Sequence, residues 1–303
     1  MTVHGEREKL PAVTKAEGAK ALQRFADGFN KAYSTVDPKI NSTFEAGALL
    51  ASDQASVKQV RGRHPGGFPN FTPLTFKDAH FSIPKQAGWP KSFVADAVTN
   101  RVDKDKQPLR WYLVFSRDSI DAKWRAVYLA TFKNNDAPKI KEAADGFAEA
   151  VPTGGASGLT AAPGKLSTSY ADYLRTGKGE VFASGPDTTE WRATRAKEAT
   201  GVGSRIDYED TPANFPPVAL RTEDGGALAF FATYYHRQKT VSPGIIITIT
   251  PELKGILQGP MKKTNRMAFT NISGQAVKVP AKGSGGKVEI LNRLDVKTSA
   301  KAL

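Results

Sequence analysis

The sequence predicts an α+β protein of two domains, each an N-terminal helix packed on a curved antiparallel sheet. Three observations predict it. A capped amphipathic helix opens each half, runs of alternating β-branched and aromatic residues follow it, and a Gly/Ala/Pro stretch almost without charge separates the halves. The domains are therefore read as residues 1–150 and 166–303, with 151–165 as the linker.

Thr14 and Glu17 have the spacing of a capping box, in which each side chain satisfies a free backbone N–H. Behind them Leu22, Phe25, Ala26, Phe29 and Tyr33 recur at helical spacing and predict a helix over about 15–33. A second helix is expected between Ser42 and Val60, burying Phe44, Leu49, Leu50 and Val57. The text RGRHPGG, Arg61 to Gly67, reads as a loop. Strands are expected at 74–83, 92–98, 109–117 and 123–132, with Asp118 and Asp121 suiting a hairpin turn. Trp111, Leu113 and Phe115 alternate with Tyr112 and Val114, so both faces of that strand should be covered.

In the second half Ser167 is placed to cap a helix carrying Tyr170, Tyr173 and Leu174, and Asp187 with Glu190 opens another before Trp191. Strands follow at 204–210, 218–222, 227–237 and 245–250, with Glu223 to Gly226 as a tight turn. Further strands are expected at 261–270, 275–279 and 287–296.

The 303 residues contain no cysteine. That excludes thiolate catalysis, cysteine zinc sites and disulfides, and it fits a compartment that oxidises unpaired thiols. No apolar run approaches the ~18 residues of a spanning helix. More than half of the net charge of +13 lies in residues 254–303, where ten basic residues meet only Glu289 and Asp295. Lys262, Lys263 and Arg266 head this segment as candidates for contact with an anionic surface. On a strand starting at Met261, Lys262 and Arg266 would share one face and Lys263 the other.

Three places offer side chains suited to a ligand. Arg61, Arg63 and His64 combine cations with an imidazole. Trp89 stands between Gly88 and Pro90 with Lys85 and Lys91 nearby. Tyr234, His236 and Arg237 end a strand. None forms a catalytic set. The four histidines have no metal-ligand spacing, Glu223 and Asp224 point apart, and no nucleophile elbow, phosphate loop or dinucleotide fingerprint occurs. No catalytic residue, metal or cofactor is therefore assigned.

Six segments together resemble a family of secreted actinobacterial lipoproteins without an assigned function: TVHGERE (2–8), HPGG (64–67), FSIPKQAGWPKSFVADA (81–97), DGFAEAVP (145–152), GPDTTEWRATR (185–195) and LRTEDGGALAFFAT (220–233). The resemblance reaches to about Thr240. It implies a lipid-modified cysteine where this chain has Met1, and thus an ectodomain held at the outer face of the cytoplasmic membrane, with the anchor missing from this chain. The helix-then-meander order also resembles the cone-like folds of the cystatins and nuclear transport factor 2. The first functional reading is a non-catalytic envelope lipoprotein that binds an anionic envelope polymer, lipid headgroups or another envelope protein. The second is an extracytoplasmic hydrolase using His64 or His236. A nucleic-acid binder ranks third, because no aromatic residues interleave with the C-terminal lysines.

Overall fold

Thr14 caps the first helix as its spacing implies. In the computed structural model, which describes residues 8–133, 136–155 and 157–303, the Glu17 N–H donates to Thr14 Oγ1 at 3.1 Å and the Glu17 carboxylate accepts from the Thr14 N–H at 3.3 Å. Met1 and the Thr2 to Arg7 part of the first resembling segment lie outside the described residues. The short strand β1 (Leu10–Pro11) precedes α1 (Lys15–Thr35), which ends at Val36 in the left-handed region.

The second helix, α2 (Gly47–Arg63), starts later than expected and runs through Arg61, Gly62 and Arg63, which correct the loop reading of that stretch. Gly62 has a packing role there. A Cβ on it would lie 2.1 Å from the carbonyl oxygen of Pro251, so only glycine lets the two backbones approach this closely. Tertiary contact outweighs glycine's poor helix propensity.

The first half continues with β2 (Phe76–Ser82), β3 (Lys85–Gln86), β4 (Lys91–Val102), β5 (Pro108–Arg117) and β6 (Arg125–Lys133). Strands β2-β4-β5-β6 form one antiparallel sheet, and β1 pairs with β3. The second half supplies α3 (Leu166–Thr176), α4 (Trp191–Ala199), β7 (Ser204–Pro212), β8 (Val218–Arg221), β9 (Ala227–Val241), α5 (Pro251–Gly255), β10 (Leu257–Gln258), β11 (Arg266–Val279) and β12 (Glu289–Ala302). Its sheet runs β10-β12-β11-β9-β7, with β8 also paired to β9.

Three details differ from expectation. Residues 245–250 form no strand; Ile247 makes a single backbone bond, to Thr264. The strands expected at 261–270 and 275–279 are one strand, β11, continuous through Gly274. Ser167 does not cap α3. Its hydroxyl donates to the Ala232 carbonyl at 2.7 Å and accepts from the Ala213 N–H, tying the helix to β9 and the chain after β7.

The layers follow from alternation along the strands. Phe93, Leu113 and Phe115 turn one face of the first sheet to Leu22, Phe25 and Phe29 of α1. Val94, Val114 and Phe132 turn the other face to Leu228, Phe230 and Ile272 of the second sheet. Phe231, Ala229 and Val277, on the second sheet's far face, meet Tyr170 and Leu174 of α3. The order is helix, sheet, sheet, helix, and this explains why both faces of β5 are apolar. Val151 and Leu159 of the expected linker are buried against the second sheet, with the Val151 N–H bonded to the Ala219 carbonyl and the Thr160 N–H to the Pro280 carbonyl, both at 2.9 Å. Among the described residues no helix is long and apolar enough to cross a membrane.

Candidate functional site

The structure keeps the three expected ligand groups apart. Arg61, Arg63 and His64 lie at the C-terminal end of α2, where Arg63 approaches Glu252 at 3.6 Å and His64 stacks on Phe68. Trp89 stands over Arg117, whose other side faces Trp124, so its ring already has a partner. On β9 the pleat divides the third group. Tyr234 packs toward Phe215 between the sheets, and exposed His236 meets Thr270 Oγ1 at 3.0 Å. Arg237, on the opposite face, lies over Phe269.

Two other surfaces stand out among the described residues. The first is a cleft of about 790 Å³ between the edge of the first sheet and β8, a volume ordinary for a small-molecule site. Val127, Tyr128, Phe215, Pro216 and Val218 make an apolar floor, and the Tyr128 hydroxyl donates to the Pro216 carbonyl at 2.8 Å. Burial pushes that phenol up, so it stays neutral. Lys9, Lys85 and Lys91 stand around the floor.

The second surface is built by residues 242–266. Ile245, Ile246 and Met261 are exposed by 56%, 52% and 62%, and Lys254, Lys262, Lys263 and Arg266 of the same stretch of chain are exposed too. Leu303, bonded through its N–H to Arg266, adds a fourth exposed apolar side chain. Lys262 and Lys263 precede β11 instead of lying on it, so strand alternation does not sort them. Thr264 turns the chain into the strand by bonding Arg266 and the Leu303 carbonyl. The basic C-terminal end is also smaller than its composition suggests. Lys278 pairs with Asp224 at 2.7 Å, Arg293 is buried beside Asp187 and Asp295, and half-buried Lys297 covers Phe269.

A family model described as a domain of unknown function, DUF8094, matches residues 9–301. The chain belongs to the DUF8094 family. It is 40% identical over 305 residues to an uncharacterized lipoprotein of Streptomyces coelicolor, covering 99% of this chain and 89% of the relative. It is 41% identical over 306 residues to an uncharacterized lipoprotein of Streptomyces avermitilis, covering 99% and 90%. These are actinobacterial lipoproteins of unknown function, as the six segments imply. No solved structure matches the chain.

Three polar clusters of this DUF8094 chain escape sequence reasoning. In the first, Arg195 lies buried among Trp191, Tyr208 and Tyr235 and bonds Asp210 at 2.6 Å, and Arg293 also lies over Trp191. In the second, His80 sits between Asp96 at 3.2 Å and Glu142 at 2.9 Å. The hydrogen bond to Asp96 is the main reason its pKa is raised, against the opposing effect of burial. With a carboxylate at each ring nitrogen it serves as a cationic clamp and has no lone pair free for general-base work.

The third cluster is a carboxyl pair of buried Glu45 and half-buried Asp53. Glu45 is fully buried, accepts from Asn41 at 2.9 Å and faces Asp53, which accepts from the Tyr33 hydroxyl at 2.7 Å. Burial first, then the Asp53 charge, raises the Glu45 pKa well above the usual carboxylate range. A shared proton also supplies a donor for Glu45 Oε1, which has none among the described residues. Because the folded value is raised, the associated stability is present below the unfolded value of ~4.3 and is lost as pH rises through the folded one. Glu45→Gln keeps a proton at every pH and should flatten this decline. Its stability should match the parent near pH 4 and exceed it at pH 8, by about 1.4 kcal/mol for each pH unit separating the folded and unfolded values. Urea midpoints between pH 4 and 8 measure this, and parallel profiles for the two proteins would show that Glu45 is ionised in the fold.

Proposed function

We propose that this chain is the non-catalytic ectodomain of an envelope lipoprotein, held by a lipid at the outer face of the cytoplasmic membrane, and that it docks on an anionic lipid surface through residues 242–266. The relatives' names support the envelope setting. The observation that carries the docking is that exposed Ile245, Ile246 and Met261 and exposed Lys254, Lys262, Lys263 and Arg266 share one stretch of chain, drawn together by the Ile247–Thr264 backbone bond and joined by exposed Leu303 through its bond to Arg266. Glu252, the carboxylate nearest in sequence, is engaged by Arg63. Apolar tips gain by entering the headgroup region, and each cation near an anionic leaflet contributes about 1 kcal/mol.

The test is sedimentation with vesicles of neutral phospholipid, with and without an anionic lipid. The parent should bind only the anionic vesicles, and less as salt rises from low to physiological strength. Changing Lys262, Lys263 and Arg266 to Gln should remove most of the binding, and Ile245→Ser with Ile246→Ser should weaken what persists at high salt. Equal retention by these variants, or retention on an anionic wall polymer but not on vesicles, would refute docking on lipid. Labelling of the native protein with radioactive palmitate tests the anchor.

A further inference from the structure

We infer that the cleft between the two sheets is a binding site for a single-chain amphipathic anion, an acyl chain carrying a carboxylate or phosphate head, and that Lys91 holds the head. This site is separate from the basic face of residues 242–266, and neither needs the other.

A cation without a counter-ion points to a ligand. Lys91 is only 9% exposed, and among the described residues no carboxylate reaches its ammonium. It donates to the Gln86 carbonyl at 3.0 Å and more weakly to the Leu10 carbonyl at 3.4 Å. The ammonium also lies 5.5 Å from the centre of the Trp89 ring, which offers it a π face but no negative charge, so two of its three donors meet carbonyls and no anion neutralises it. Burying a charge without an opposite one is costly, and an anion in the cleft would compensate it.

The surrounding charges favour the same sign. Lys9 and Lys85 flank Lys91 on the cleft wall. Lys85 already pairs with Asp145 at 2.6 Å, whereas Lys9 is exposed. Asp118 is the one carboxylate among the described lining residues, so the wall stays cationic. The floor selects the other end of the ligand. Val127, Phe215, Pro216 and Val218 present carbon, and the Tyr128 hydroxyl is occupied by the Pro216 carbonyl. A sugar or nucleotide would lose its hydrogen bonds on such a floor, whereas a hydrocarbon chain loses none.

The positions follow from the fold. β1 brings Leu10 beside β3, β3 leads into the turn that delivers Lys91, and segment 150–153 with residues 215–219 closes the cleft from the second half. Anchor and floor thus come from different halves of the chain.

Calorimetric titration of the full chain with lauric acid, dodecyl phosphate and dodecanol, all below their aggregation concentrations, tests the site. Both anions should bind at least tenfold more tightly than the alcohol, and a preference between them identifies the head. Lys91→Gln should cost the anions about tenfold and leave dodecanol unchanged, while Lys91→Arg keeps the preference. Val218→Trp, which fills the floor and spares the lysine, should weaken all three. Circular dichroism checks that each variant is folded. Three results would overturn the assignment: no binding by the folded parent, equal binding of acid and alcohol, or anion binding indifferent to Lys91→Gln.

Discussion

Arg195→Ala is expected to destabilise the protein by about 3–5 kcal/mol, the usual cost of removing one partner of a buried ion pair. The guanidinium bonds Asp210 at 2.6 Å, with both side chains buried, and lies 4.5–5.0 Å from the ring centres of Trp191, Tyr208 and Tyr235. Deleting it leaves the buried Asp210 carboxylate without its ion-pair partner and removes the cation that three rings share. Arg195 is on α4, Asp210 and Tyr208 on β7, and Tyr235 on β9, so α4 should loosen from the sheet first. The double change Arg195→Met with Asp210→Leu should recover much of the loss, because no charge is then stranded. Urea midpoints of the two variants measure both effects. A single variant within about 1 kcal/mol of the parent would show that water reaches Asp210 and that the pair is not buried in solution.

Phe230→Ala is expected to cost about 3–5 kcal/mol, in the range for truncating a fully buried phenylalanine. Phe230 stands in the layer between the sheets, with Tyr128 of the first half 6.3 Å away between ring centres. Its removal opens a cavity walled by both halves, and neither sheet can close it without moving against its own helix layer. Tryptophan fluorescence should therefore report one lowered urea midpoint for Trp111 in the first half and Trp191 in the second. Separate midpoints for single-tryptophan versions would show that the two sheets unfold independently of this layer.

Much of the architecture is legible because it is local. The α1 stripe of Leu22, Phe25 and Phe29 packs on the first sheet, and Thr14 with Glu17 caps the helix as spaced. The alternation of Trp111 to Phe115 marks a strand covered on both faces. Errors gather where distant contacts override local preference. Gly62 stays helical because α5 lies against it, and residues 245–250 leave the sheet although their composition suits a strand. The candidate sites were less legible. Lys91 and Trp89 are neighbours in sequence, but the setting of the Lys91 ammonium depends also on Leu10, which is 81 residues away. Glu45 carries no signal of its pairing with Asp53, since isolated carboxylates in a sequence look alike.

By itself the sequence determined the α+β class, the helix faces, most strands and the membership of a lipoprotein family without cysteine in this chain. These depend on periodicities of 2 and 3.6 residues and on composition, which any short window displays. Only the tertiary structure decided that the two sheets pack face to face, that Arg293 and Lys278 leave the basic surface, and that a cleft with Lys91 on its wall opens between the halves. Each of these requires residues far apart in the chain to meet. An apolar face records that it must be covered but not by what, and a lysine records its charge but not whether a carboxylate lies beside it.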